Sequence, residues 1–284
     1  MTTAALHFLR AQNAVLGRIA PDRAAAAAQD LFLQPRRAAE RPWEAEVEAS
    51  AERFRLKVGF SVLRWRAARD DAPRVLCMHG WEGRATQFGV LAATLRARGL
   101  EVVALDGPGH GRSAGREAHP VEFARAMLAA DRELGPFDAV VGHSMGGAAT
   151  SLALAWGLRA ERAVLLASPS SIDGVLERFA DVIGLPPPAR ARLMARVEST
   201  VGFARAELNV AHAAEGLSIP ALVVHDRADL EVPYADGQAI AERWPGATLL
   251  PVEGLGHRRV LRDPSVVQAV ASFLRAAPEP SPQA

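Results

Sequence analysis

The stretch GHSMGG (142–147) separates an apolar run, DAVV (138–141), from a second and longer one, AATSLALAWGL (148–158). The first run is short and Val-rich, which suits a strand buried on both faces; the second has the length and the Ala and Leu content of a helix. A chain that leaves a buried strand and starts a helix at once must turn sharply, and Gly142 and Gly146 clear the space for that turn. Ser144 stands at its apex, with its backbone forced into a crowded conformation and its Oγ pushed out above the sheet edge. The same turn places the Met145 N–H at a helix N-terminus, where it can donate to an oxyanion. A tight junction with no chemistry would use the same small residues, so the rest of the chain has to decide between the two.

Outward from this turn the sequence alternates. Short apolar runs recur at RVLCM (74–78), EVVAL (101–105), RAVLLAS (162–168), PALVVHD (220–226) and ATLLPV (247–252), with helix-like segments between most of them. That rhythm predicts an α/β fold, a mostly parallel twisted sheet flanked by helices and joined by right-handed crossovers. Ahead of it, 43–66 carries period-two runs, and FRLKV (54–58) and FSVLRW (60–65) read as an antiparallel hairpin turning at Gly59. Between Ser168 and Ile219 the alternation stops. Two helical patterns there, IDGVLERFADVIG (172–184) and ARARLMARVESTV (189–201), flank Pro186, Pro187 and Pro188 and predict a small helical lid inserted after the sixth strand. The chain thus divides into an N-terminal helical extension (1–42), a first core part (43–168), the lid (169–218), a second core part (219–276) and a disordered tail (277–284).

Composition narrows the function. The 284 residues are 49% hydrophobic and 23% charged, enough for one large core. A formal charge of +1, with no basic run interleaved with aromatics, excludes nucleic acid as the expected partner and favours a small-molecule substrate. Cys77 is the single cysteine and cannot form an internal disulfide, which fits a cytoplasmic location. Polar residues break the N-terminal segment before any secretory core develops, and no run reaches membrane-spanning length, so no stable membrane insertion is expected. Oligomeric state is not legible.

Ligands of an open parallel sheet collect at the carboxyl ends of its strands. Polar residues follow the runs there: His79 and Gly80, Asp106 to Ser113, His143 and Ser144, Asp226 and Asp229, and His257. A nucleophilic serine needs a base within hydrogen-bond reach and a carboxylate to orient that base. His257, in the short loop VEGLGH after the last strand, lies at the same edge as Ser144 and is the best base of the eight histidines. For the acid, HDRADLEVP (225–233) offers Asp226, Asp229 and Glu231. Asp229 stands far enough beyond the strand to reach the His257 loop, and Asp226, a natural turn residue, is the alternative.

With these parts in place the chain resembles an α/β-hydrolase over roughly 43–273, and the order Ser, Asp, His is the one that fold uses. His79-Gly80-Trp81 resembles the family's oxyanion loop, which implies the Trp81 N–H as a second donor beside Met145. DGPGHGRS (106–113) resembles a D-x-x-G-x-G-x-S loop that shapes the site without doing chemistry, so His110 and His143 are expected to be structural. The wording of these loops most resembles the carboxylesterase, monoglyceride-lipase and lysophospholipase-like branch. Relatives that are dehalogenases or epoxide hydrolases carry Asp at the nucleophile position, and dienelactone hydrolases carry Cys. Ser144 therefore points to a serine hydrolase acting on a carboxylic ester or thioester of a small acyl substrate through an acyl-enzyme, with no metal or organic cofactor. Carbon–carbon bond hydrolysis or acyl transfer on the same triad, and a non-enzymatic binding protein on the same scaffold, are the other readings. Trp81 and the lid residue Phe179 are expected to line the substrate pocket. Glu82 departs from the usual oxyanion loop, and its carboxylate is expected to turn toward Arg84 or solvent.

Overall fold

The apolar runs assemble into one eight-stranded sheet. The computed structural model describes residues 3–37 and 39–275, so the expected tail at 277–284 lies outside the described residues. The strands are β1 (Glu52–Arg55), β2 (Ser61–Trp65), β3 (Arg74–Met78), β4 (Glu101–Leu105), β5 (Ala139–His143), β6 (Arg162–Leu166), β7 (Ala221–Asp226) and β8 (Ala247–Val252). Their spatial order is β1-β2-β4-β3-β5-β6-β7-β8. β1 and β2 pair antiparallel, as do β2 and β4, and every later pairing is parallel. The hairpin turns where the sequence predicts it, with Arg55 opposite Ser61.

The helices are α1 (Thr3–Ile19), α2 (Pro21–Leu33), α3 (Pro42–Ala49), α4 (Gly89–Ala97), α5 (Pro120–Leu134), α6 (Met145–Ala155), α7 (Ile172–Val182), α8 (Pro187–Val201), α9 (Val210–Glu215), α10 (Tyr234–Arg243), α11 (Gly256–Arg259) and α12 (Pro264–Arg275). One stretch differs from expectation. The period-two reading from residue 43 fails until Glu52, because WEAEVEA is α3: Pro42 opens it, and the Glu44 carboxylate accepts the Arg41 N–H at 2.7 Å. Alternating Glu and Ala mimics a strand pattern, but both are strong helix formers.

Side-chain alternation along the strands feeds two cores. Leu76, Met78, Val103, Leu105, Val140 and Leu165 meet Phe123 and Met127 of α5 and Ala148 and Leu152 of α6 on one face. Val75, Cys77, Val102, Val141 and Val164 meet Leu91 and Leu95 of α4 and Val267 and Val270 of α12 on the other. After β6 the chain leaves the sheet for α7, α8, a 3₁₀ turn (Arg205–Leu208) and α9, the last of which the sequence reading does not anticipate.

The N-terminal helices are fastened to this inserted segment. Ala24, Ala25 and Ala28 of α2 share a core cluster with Ala189, Leu193 and Val197 of α8, where methyl-sized side chains let the two helices approach closely. Asn13, buried on α1, donates from Nδ2 to the Ile183 carbonyl at 2.8 Å, and Gln29 bridges Thr200 at 2.7 Å and Arg196 at 2.8 Å.

Candidate active site

The turn after β5 has the strain expected of it. Ser144 has φ 54° and caps α6, whose first residue is Met145. This left-handed conformation costs a non-glycine residue roughly 1–3 kcal/mol, and the neighbours hold it: the Ser144 N–H donates to the Leu166 carbonyl at 2.9 Å, and its own carbonyl accepts from Gly147 at 2.8 Å. A Cβ at position 142 would stand 2.4 Å from the Gly146 carbonyl oxygen, and one at 146 would stand 2.2 Å from the Met78 carbonyl oxygen. Neither position admits a side chain.

Three candidate residues from three loops meet at this edge. The Ser144 Oγ lies 2.9 Å from His257 Nε2, and His257 Nδ1 lies 2.8 Å from Asp229 Oδ2. Burial by itself would raise the Asp229 carboxyl, but the hydrogen bond from His257 and the N–H groups of Val232 and Glu231 outweigh it and hold the group below its usual range. Asp229 is then an ionised acceptor. The imidazole proton must therefore sit on Nδ1, which leaves Nε2 free to accept from the serine hydroxyl.

Asp226, the alternative acid, is used differently. Its Oδ2 accepts the N–H groups of Leu255 and Gly256 at 2.6 and 3.0 Å, and Oδ1 accepts Ala228 at 2.7 Å. It fixes the backbone just before His257 and makes no contact with the ring. His143 clamps the other side, donating from Nε2 to the His257 carbonyl at 2.8 Å, while burial pushes its own ring down to about 3.

Opposite the serine, the loop after β3 carries Trp81. His79 and His110 pin this loop in the same way: each has Nδ1 against a carbonyl, of Gly80 at 2.7 Å and of Pro108 at 2.8 Å, and each accepts a backbone N–H at Nε2, from Gly107 and from Glu82, both at 2.9 Å. The Glu82 amide is thus occupied. Among the described residues the amides of Trp81 and Met145 have no acceptor, and they flank Ser144. The Glu82 carboxylate does turn outward, but neither to Arg84 nor to solvent: Arg36 holds it through Nε at 2.7 Å and Nη2 at 3.0 Å. Arg84 is engaged by buried Glu44. The D-x-x-G-x-G-x-S loop is a scaffold, with Asp106 accepting Ala85 at 2.8 Å and Arg112 at 3.0 Å, and Ser113 Oγ closing the loop onto the Asp106 carbonyl at 2.5 Å.

A strained serine at a strand–helix turn, in line with a histidine and a carboxylate at the same sheet edge, is the architecture of one family, and the model of that family, described as the alpha/beta hydrolase family, matches residues 75–270. The chain belongs to the alpha/beta hydrolase family. A monoacylglycerol lipase of Mycolicibacterium smegmatis is 29% identical to this α/β hydrolase in an alignment of 222 residues, with 63% of this chain and 78% of the lipase covered. Among solved structures, an esterase from Pyrococcus furiosus superposes with a TM-score of 0.63 at 19% identity, covering 86% of this chain and 98% of that one. An esterase from Exiguobacterium antarcticum gives 0.61 at 13% identity, with 80% and 100% covered.

In this α/β hydrolase an apolar cavity of about 240 Å³ opens onto Ser144 and His257. Trp81 and Met145 border it from below, and Ile172, Val175 and Phe179 from α7. Leu31 and Phe32 of α2 complete the wall, with the Phe32 and Phe179 rings 5.0 Å apart. The sequence reading misses these two residues, because their helical spacing says only that α2 has an apolar face and not what that face meets. Among the described residues no cluster of His, Cys, Asp and Glu has the geometry to hold a metal ion, and no helix is long and apolar enough to cross a membrane.

Proposed function

We propose that the protein is a serine hydrolase of the esterase and lipase kind, cleaving a carboxylic ester or thioester of a small acyl substrate through an acyl-enzyme. The observation that carries this reading is the unbroken line from Ser144 through His257 to Asp229, at 2.9 and 2.8 Å. Ser144 Oγ attacks the acyl carbon as its proton passes to His257 Nε2, and the oxyanion takes the N–H groups of Trp81 and Met145. Collapse breaks the bond to the leaving oxygen or sulfur, which receives the proton from His257. Water then adds to the acyl-enzyme with His257 as base, and the carboxylic acid departs.

The apolar cavity between α2 and α7 takes the acyl chain, with Trp81 and Phe179 as walls and the inserted helices as its lid. Similarity to a monoacylglycerol lipase supports an acyl ester as substrate class. The test is labelling with a serine-directed fluorophosphonate alongside turnover of p-nitrophenyl esters. Wild type should label and turn over, and Ser144→Ala should do neither while unfolding at the same temperature, since loss of nucleophile and base assistance together removes well over ~10²-fold. A labelled Ser144→Ala protein would assign the nucleophile elsewhere.

A further inference from the structure

Two cavities meet at the reacting serine, and their linings are opposite in character. The apolar one has been described. The second, also about 240 Å³, shares Ser144, His257, Trp81 and Glu231 with the first and continues past Glu44, Glu82, Arg41, Arg84, Arg258 and Arg262. An ester held with its carbonyl carbon at Ser144 has two arms, and the acyl arm fits only the apolar side. The leaving-group arm therefore points into the arginine-rich cavity.

Most of the charge in that cavity is already neutralised. Glu44 faces Arg84 at 3.4 Å, Glu231 faces Arg258 at 3.3 Å, and Glu82 is taken by Arg36. Arg41 and Arg262 are left: both line the cavity, and among the described residues neither guanidinium has an ion-pair partner. With every carboxylate of the lining paired, two positive charges remain to face the leaving group. Guanidinium forks match the planar or tetrahedral oxygens of carboxylate and phosphate.

Resting on the hydrolase reading above, we infer that the natural substrate carries an anionic group, a phosphate monoester or a carboxylate, on its leaving-group half, met by Arg41 and Arg262. The discriminating measurement is kcat/KM for three hexanoyl esters that differ only in the alcohol: glycerol, glycerol 3-phosphate and glycerate, each normalised to its rate with hydroxide. The anionic esters should be preferred by about three- to tenfold, as two exposed ion pairs allow. That preference should shrink as salt rises from about 25 to about 500 mM. In Arg41→Gln/Arg262→Gln the ratio of anionic to neutral ester should fall toward one. A gain on the phosphate alone assigns a phosphate monoester, and equal gains on both assign the shared anionic charge. A wild-type ratio of one or below, or a ratio insensitive to salt and to the double substitution, overturns the inference while esterase activity and labelling persist. Inactivity on all three esters together with absent labelling strikes instead at the hydrolase reading.

Discussion

Asp226 and Asp229 stand three positions apart and hold the same histidine loop by different bonds, so their substitution by Asn should separate catalysis from scaffolding. Asp229→Asn removes the charge that keeps the His257 proton on Nδ1 and should lower kcat by ~10²- to 10⁴-fold with little change in melting temperature. Asp226→Asn leaves either the Leu255 and Gly256 amides or the Ala228 amide facing an NH₂ group, and should cost about 1–3 kcal/mol of stability with a smaller loss of kcat. Urea titration and steady-state kinetics on both variants check the contrast, and the reverse order would reassign the acid. His143→Phe should likewise lower kcat more than it raises KM, because the lost bond is to the His257 backbone and not to substrate. Ser144, His257 and Asp229 were legible because turn chemistry and position after a strand are local signals. The Arg36 partner of Glu82 was not, since it lies 46 residues away and nothing along the chain marks one arginine among many.

Strands β3 and β4 coincide with their apolar runs, because a strand buried on both faces leaves no other periodicity to read, and β8 coincides with its run although its residues are half-buried or exposed. Helix α7 was equally legible, and the structure divides its stripe between two neighbours: Leu176 is buried in the core, Ile172, Val175 and Phe179 border the cavity, and Val182 is exposed. What the pattern could not give was the partner of α2. An amphipathic helix announces an apolar face without saying where it docks, and here Phe32 closes the cavity against Phe179. The two rings should bound the acyl chain. Each methylene enclosed is worth roughly 0.8 kcal/mol, so kcat/KM on p-nitrophenyl esters should climb about three- to fourfold per carbon and then stop at short-to-medium length. Phe32→Ala and Phe179→Ala should each move that stopping point to longer chains. A profile in wild type that climbs through C16, or one that neither variant shifts, would place the acyl chain elsewhere.

Burial pushes four of the six buried imidazoles toward their neutral form, and this sets how the fold responds to acid. His79 and His143 lie fully inside, where burial pushes both down to about 3; His110 and His119 are lowered in the same direction for the same reason. In the unfolded chain each would take up a proton near pH 6.5. Between that value and the depressed folded one the unfolded state binds more protons, so stability rises with pH across this window and is level above it. Each fully buried ring can contribute up to about 1.4 kcal/mol per pH unit, and His79 and His143 together nearly twice that. Asp106 and Asp229, both held below the usual carboxylate range, extend the same slope below pH 4. Protonating His79 or His110 would also remove the acceptors of the Gly107 and Glu82 amides, so the loop bearing Trp81 loosens as the fold weakens. At that slope two pH units remove about 5 kcal/mol, comparable to the lower end of the roughly 5–15 kcal/mol total stability typical of a domain. Urea unfolding at a series of pH values should therefore give a constant free energy from pH 8 to about 7 and a steep decline from about 6.5 toward 4.5. His79→Gln should lower the plateau and flatten the decline together, since Gln can still accept the Gly107 amide but does not titrate. Unfolding free energies that stay level down to pH 4.5 would mean that these rings are already protonated in the native protein, or that the fold opens to admit the proton without unfolding.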